Sequence, residues 1–292
     1  MKEASYPLGL VMAVFLSTIA RGQEGGDRMS TRSALEHGKI STADATPVGR
    51  HAMEIELSYG PTWTRSGFGG FERTGPSQTH PVELAFTYGI RDDLDLTITM
   101  GYGTAYDAHY RHDPGDSIAG PTHGDGHTDD AVSLRWRFLQ EGAAALDLAL
   151  VSGFVVPTGA RASVDSVGLS RECWSWDSAL VLSMDLGRWT GNLELGVSLL
   201  IPFEGEAYEG ATLTNVAFGY HVLDWLQPEL EVNYQHTFKQ GSDPAEDHLA
   251  LTAGLVAPFG DGYRLTAGVL QSAWGHHTIA TTTAVLAFKV AL

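Results

Sequence analysis

Apolar and polar positions alternate with a period of two from about residue 51 to the end of the chain. In MEIELSY, Met53, Ile55, Leu57 and Tyr59 alternate with glutamate and serine, and VELAFTYGI, LDLTITMGY and VSLRWRF repeat the pattern. Later segments follow it less regularly, beginning near Leu146, Trp174, Leu193, Thr214, Leu230, Leu249, Tyr263 and Ala280. Period two is typical of β-strands whose faces meet different surroundings. It predicts about twelve strands, with ten or fourteen as alternatives, and no helix.

Short and long links alternate between these segments. The short links lie near IRDDL, LQEGAA, LGRWTG, VLDWLQ and PFGDGY. The longer, polar links span residues 61–80, 103–129, 157–171, 203–212, 237–247 and 271–278. Outer-membrane barrels have this arrangement, with short periplasmic turns and long extracellular loops. The sequence therefore predicts an all-β fold, a transmembrane antiparallel up-and-down β-barrel.

The tryptophans favour a membrane barrel over a soluble one, whose apolar face would turn inward. Four fall near the long-loop ends of strands and two near the short-turn ends, namely Trp63, Trp174, Trp176 and Trp274, and Trp189 and Trp225. Two aromatic bands are expected where a barrel crosses the two membrane–water boundaries.

The first fifty residues resemble an export signal and a leader. Lys2 precedes an apolar run at residues 8–20, which is too short for a membrane span of about 20 residues, and small residues follow it. We expect a signal peptide over residues 1–22, a flexible periplasmic leader over 23–50, and the barrel over 51–292. A buried N-terminal helix is the alternative to the signal, and the leader could tuck into the barrel as a plug.

The net charge and the cysteine content exclude some partners and some covalent links. The 292 residues carry a formal net charge of −17, which argues against a nucleic-acid partner, because phosphate binding needs clustered basic residues. The single cysteine, Cys173, excludes an intrachain disulfide and is expected to be a small filler on the lumen side. The predicted location is the bacterial outer membrane, with lipid and a small solute as partners.

Several strand-and-turn blocks carry a family resemblance. They are STADATPVGRHAMEIELSYG, FTYGIRDDLDLTITMGY, DDAVSLRWRFLQEG, LALVSGFVVPTG and LALTAGLVAPFGDGYRLTAGV. Over roughly residues 45–292 the chain resembles outer-membrane transporters named after the MetA pathway of phenol degradation. It differs from them in its His-rich second loop and in ending on Leu292. The resemblance implies a channel for small solutes, hydrophobic or aromatic compounds included, with no catalytic residues and no cofactor.

If the apolar face meets lipid, the other face lines the lumen. Its predicted acidic residues are Glu54, Glu56, Glu83, Asp95, Asp147, Asp177, Asp185, Glu194, Glu229 and Glu231. Its predicted basic residues are Arg135, Arg137, Arg264 and Lys289. This excess of acids would make a continuous pore favour cations. Alternatively, opposite charges pair and fill the lumen, with Arg135 and Arg137 reaching Glu54, Glu56 or Glu83.

Enzymatic signals are weak, so we expect no enzyme. GDSI at residues 115–118 resembles the nucleophile block of an esterase class, but the α/β fold and the Asp-x-x-His spacing of that class are missing. No Gly-x-Ser-x-Gly, His-Glu-x-x-His or phosphate-binding glycine loop occurs. A lipid hydrolase on the outer wall remains an alternative. His236 would be its base, and the sequence names no partner for it.

The stretch from residue 106 to 130 holds four histidines and six aspartates. His109, His112, His123 and His127 are candidate ligands for zinc, copper or nickel, together with Asp113 or Asp116. The simpler interpretation is a solvated extracellular loop that leaves the membrane after Tyr102 and returns near Val132. A non-conducting barrel whose loop binds metal or a partner is therefore the alternative to a channel.

Overall fold

The computed structural model describes residues 39–68, 77–110, 120–141, 146–163, 165–201, 209–239, 245–260 and 262–292. The predicted signal peptide and residues 23–38 of the predicted leader lie outside this range. The strands are β1 (Met53–Tyr59), β2 (Thr62–Gly67), β3 (Ser77–Arg91), β4 (Leu94–Tyr110), β5 (Gly120–His127), β6 (Asp130–Glu141), β7 (Leu146–Val156), β8 (Trp174–Leu186), β9 (Trp189–Ile201), β10 (Glu209–Tyr220), β11 (Gln227–Lys239), β12 (Glu246–Phe259), β13 (Tyr263–His276) and β14 (Ile279–Ala291). Within the described residues, no helix is long and apolar enough to cross a membrane.

These fourteen segments build a wall of twelve strands. β1 and β2 both lie between β14 and β3, so they are two halves of one wall strand. The break falls at Gly60 and Pro61, where proline has no N–H to give to the ladder. β5 and β6 likewise share β4 as a neighbour and count as one wall strand. The predicted number of strands is confirmed.

The barrel closes between its first and last strands. β1 pairs antiparallel with β14, from Glu54 opposite Ala291 to Tyr59 opposite Leu286. The backbone of Met53 also exchanges hydrogen bonds with that of Leu292, at 3.2 and 2.8 Å. Closure leaves no open edge in the wall, as a structure surrounded by lipid requires.

The two faces of the wall have the polarity predicted for a membrane barrel. Large apolar side chains point outward and stay exposed, with Leu230 at 66% and Phe218 at 58%. Threonines, carboxylates and basic side chains point inward and are buried, as are Thr62 and Lys289. A closed antiparallel barrel with an apolar outer belt and a polar interior is the structure of an outer-membrane protein, so the predicted location is confirmed.

Aromatic side chains cluster at both ends of the outer wall. At the end with the short turns, Trp189 packs on Tyr220 with ring centroids 4.6 Å apart, and Trp225 is exposed. At the opposite end Trp174 and Trp274 are exposed on the outer face. These positions agree with two interfacial bands, because the amphipathic rings of tryptophan and tyrosine favour the headgroup level.

Most of the predicted loop over residues 103–129 is strand in the part that the structure describes, and residues 111–119 lie outside that part. β4 continues to Tyr110, and residues 120–127 return as β5, paired from Tyr102 opposite His127 to Tyr110 opposite Gly120 with one register shift between Asp107 and Tyr110. Proline and glycine in GPTHGDGH hide this strand, because both disfavour strands. Cross-strand contacts accompany the pairing: the Tyr106 and His123 rings lie 4.8 Å apart.

The last predicted long link, residues 271–278, is also mostly strand. β13 runs to His276 and β14 begins at Ile279, so only His277 and Thr278 make the turn. His277 has a positive φ of 52°, which a tight reversal requires. The remaining long links lie between β2 and β3, β7 and β8, β9 and β10, and β11 and β12, all at one end of the barrel.

The link between β7 and β8 folds back over β5. The backbone N–H of Ala160 donates to the carbonyl of His127 at 2.9 Å. The Asp129 carboxylate holds the link by accepting from Gly159 N at 3.0 Å, Ser170 Oγ at 2.6 Å and Arg171 N at 2.7 Å. β7 pairs with β6 and ends at Val156, so it does not reach β5. The β7–β8 link hydrogen bonds to part of the β5 edge instead.

Candidate solute pathway

The predicted lumen residues lie on the inner face of the wall. Eleven are buried, namely Glu54, Glu56, Glu83, Asp95, Arg135, Arg137, Glu194, Glu229, Glu231, Arg264 and Lys289. Asp147, Asp177 and Asp185 are half-buried. Because strand residues alternate between faces, the period-two pattern was sufficient to sort these side chains inward.

Most of the charged side chains pair near the end with the short turns. Lys289 Nζ lies 3.0 Å from Glu54 Oε2 and 3.1 Å from Glu56 Oε2, and Arg264 Nη2 lies 3.4 Å from the same Glu56 oxygen. These four residues stand on β1, β13 and β14, where the barrel closes. Two cations beside two carboxylates leave this part of the inner wall close to neutral.

The two arginines of β6 form ion pairs with aspartates that were not named as their partners from the sequence. Arg135 Nη2 lies 2.6 Å from Asp95 Oδ2, and Arg137 Nη1 lies 3.2 Å from Asp147 Oδ2. Neither ion pair involves Glu54, Glu56 or Glu83. The reason is strand register: Arg135 stands directly opposite Asp95 across the β4–β6 pair.

Residues 39–49 lie inside the barrel. The sequence of this lumen segment is KISTADATPVG, and all its residues except Thr46 are buried. Side chains from β4, β6, β7, β8, β9 and β11 hydrogen bond to it. The segment therefore runs across the bore from β11 to the wall near β4, before the chain enters β1.

The Glu231 carboxylate receives the first part of the segment. Glu231 Oε1 accepts from the backbone N–H of Ile40 at 2.8 Å and of Ser41 at 3.0 Å. The Ser41 hydroxyl also donates to Glu231, and Thr42 N lies 3.4 Å from Oε1. The ammonium group of Lys39 donates to Thr190 Oγ1 and lies 3.8 Å from Glu229 Oε1. On β11, Glu231 thus accepts hydrogen bonds from the backbone of the segment, and Glu229 lies within ion-pair distance of its lysine.

Neighbouring strands hold the middle of the segment. Glu194 Oε2 accepts from Ala43 N at 3.1 Å and from Asn215 Nδ2 at 3.0 Å. Asn192 Nδ2 donates to the Ala43 carbonyl at 2.8 Å, and Ser183 Oγ accepts from Ala45 N at 2.8 Å. Lumen side chains thereby satisfy the backbone N–H and C=O of Ala43 and the N–H of Ala45.

The end of the segment is fixed close to the wall. Val48 N donates to Asp95 Oδ2 at 2.9 Å, and Arg135 Nη1 donates to the Asp44 carbonyl at 3.2 Å. Gly89 of β3 lies so close to Gly49 that a Cβ at position 89 would collide with its carbonyl oxygen. The Asp95–Arg135 pair therefore binds the lumen segment as well as joining β4 to β6.

Apolar side chains cover the other face of the segment. Ala43 and Ala45 form a buried cluster with Ala149, Val151, Ala179 and Val181 of β7 and β8. Ile40 forms a second cluster with Val256 and Val285. The inner wall beside the segment thus has a carboxylate side on β9 and β11 and an apolar side on β7 and β8. The alternation pattern does not reveal this, because it assumes a uniformly polar lumen.

The histidines proposed as metal ligands do not converge in the part that is described. His123 and His127 stand on the exposed face of β5, beside Tyr106 and Tyr102 respectively. His112 and the side chain of His109 lie outside the described residues. Among the residues described, no group of three His, Cys, Asp or Glu side chains is arranged to hold a metal ion.

His236 has a partner that the sequence does not name. Its Nδ1 lies 2.8 Å from Asp247 Oδ1, and the Tyr234 hydroxyl donates to the same oxygen at 2.7 Å. This arrangement orients the imidazole, but the contacts described include no serine or threonine hydroxyl hydrogen bonded to His236. Cys173 is half-buried immediately before β8.

The fold is similar to that of solved outer-membrane proteins. The COG4313 outer membrane channel from Pseudomonas putida F1 matches with a TM-score of 0.71 at 13% identity, covering 87% of this chain and 100% of that chain. The translocator domain of autotransporter NalP from Neisseria meningitidis matches with a TM-score of 0.51 at 10% identity, covering 83% and 88%. No family model matches the chain, and no curated protein matches it either. These likenesses establish the barrel fold.

Proposed function

We propose that this protein is an outer-membrane channel for small solutes, including compounds with hydrophobic or aromatic parts. The proposal rests on one observation: residues 39–49, which are not part of the sheet, lie across the lumen of a closed barrel with a polar inner face. Lumen side chains hold this segment, and none of its contacts with them is part of the wall ladder. The segment can therefore move without breaking the hydrogen bonds between strands.

Two further features support a transport role. The fold resembles that of a protein described as an outer membrane channel. The patch formed by Ala149, Val151, Ala179 and Val181 gives the inner wall a surface on which an apolar part of a solute can lie. We propose that the partners are outer-membrane lipid around the belt and a small solute inside, and that the protein has no enzymatic activity.

Single-channel recording in planar bilayers tests the proposal. We expect a variant lacking residues 39–48 to give larger or longer current steps than the full chain, because the deletion removes the segment from the bore. A matched control is Asp125→Asn, which changes an exposed carboxylate on the outer face of β5 and should leave the current unchanged. A silent bilayer containing correctly folded deletion variant would refute the channel and favour a non-conducting barrel. A phospholipid release assay on the same samples tests for a lipid hydrolase.

A further inference from the structure

The lumen segment occupies a site with two chemically distinct sides. On one side, Glu231 of β11 and Glu194 of β9 accept hydrogen bonds from backbone nitrogen atoms, and Glu229 of β11 lies 3.8 Å from the Lys39 ammonium group. On the other side, Ala149, Val151, Ala179 and Val181 contact the methyl groups of Ala43 and Ala45. The groups of the segment described at these carboxylates are donors: the Lys39 ammonium, the Ser41 hydroxyl and backbone N–H groups.

From this geometry we propose that the site binds small amphipathic cations, meaning organic amines with an apolar body, and that the lumen segment is a built-in competitor for it. The inference rests on the proposed channel function and names the class of solute. In this arrangement the ammonium group of the solute takes the place of Lys39 and the N–H groups. Its apolar body takes the place of the alanine methyl groups.

The burial of the carboxylates makes them selective for such a solute. Glu194, Glu229 and Glu231 are all buried, and a carboxylate away from water needs hydrogen-bond donors or a cation to offset its lost hydration. The segment supplies these donors when it is in place. When it leaves, water enters the bore, and a cationic solute that displaces this water supplies charge-assisted donors, whereas an anion adds repulsion and a neutral alcohol supplies a single weaker donor.

The site also explains why a purely apolar solute is a poor candidate. Asn215 hydrogen bonds to Glu194, and Asn192 and Ser183 hydrogen bond to the backbone of the segment, so the polar side has several more groups that need partners. A hydrocarbon would satisfy the apolar patch and leave this side without donors, which is unfavourable for buried polar atoms. An amine with a small apolar body satisfies both sides.

The test uses benzylamine, benzyl alcohol and benzoate, which share one ring and differ in charge. Binding is measured by calorimetry in detergent micelles and by block of the bilayer current, with the variant lacking residues 39–48 and with the full chain. We expect the deletion variant to bind benzylamine at least about tenfold more tightly than benzyl alcohol, with no binding of benzoate. The full chain should bind benzylamine about tenfold or more weakly than the deletion variant, because its own segment competes.

Carboxylate variants then locate the site. In the deletion background, Glu231→Gln combined with Glu194→Gln should remove the preference for the amine, while the outer-face control Asp125→Asn should keep it. Equal binding of amine and alcohol, or an amine preference that survives both substitutions, would overturn the inference. A deletion variant that is silent in the bilayer but binds benzylamine in micelles would refute the channel and leave the binding site standing. If the deletion prevents folding, a Gly-Ser segment of equal length replaces residues 39–48 in the same measurements.

Discussion

Release of the lumen segment is predicted to depend on Glu231. Replacing Glu231 with alanine removes the acceptor for Ile40 N at 2.8 Å and Ser41 N at 3.0 Å. Hydrogen bonds to a charged group contribute about 1.5–3 kcal/mol each, so these two hold the segment by about 3–6 kcal/mol. The substitution also removes the cost of burying the carboxylate, which lowers the expected net loss to about 2–3 kcal/mol.

This loss should raise the population of the released segment by about 30- to 140-fold, since 1.4 kcal/mol corresponds to a factor of ten. The assay is the labelling rate of a cysteine at position 42 by a membrane-impermeant maleimide, in a Cys173→Ser background. Thr42 suits this probe because its side chain is small and buried within the segment. Local release controls the exposure of such a buried thiol.

A conservative variant provides the control for this measurement. Glu231→Gln keeps one oxygen acceptor and loses the charge, so it should raise the labelling rate by about tenfold, less than alanine does. A rate in Glu231→Ala within twofold of the parent would show that Glu231 does not hold the segment. A rise of equal size in both variants would show that charge alone, rather than the loss of an acceptor, controls release.

Three more predictions follow from the wall and its links. Arg135→Leu leaves the buried Asp95 carboxylate without its cation and should lower the free energy of unfolding in urea by about 3–5 kcal/mol. Adding Asp95→Asn should recover part of this loss, and purely additive effects of the two substitutions would exclude energetic coupling between the residues. Gly89→Ala places a Cβ against the segment and should accelerate the same maleimide labelling, and an unchanged rate would contradict the close approach. Asp129→Ala removes the acceptor of three hydrogen bonds that hold the link between β7 and β8, so it should speed trypsin cleavage after Arg161. A cleavage rate equal to that of the parent would show that other contacts hold the link.

Tertiary pairing decided several contacts that sequence reasoning missed. The alternation pattern predicts that Asp95 and Arg135 both face the lumen, but it does not predict that they pair. The β4–β6 register places them opposite each other. GPTHGDGH reads as loop because its composition disfavours a strand, yet pairing with β4 and cover from the β7–β8 link make it β5. Such contacts join residues distant in sequence, so a local pattern does not encode them.

Hydrophobic alternation along the chain was enough to predict a wall of about twelve strands, its apolar outer face and the inward placement of residues such as Glu54 and Glu231. Alternation with a period of two is a local property of a strand. It follows from strand geometry alone, so it does not depend on which neighbouring strand pairs with it. Only the tertiary structure placed residues 39–49 across the lumen and set a carboxylate side against an apolar side. That arrangement depends on which strands face one another across a closed barrel, and closure is a property of the whole chain.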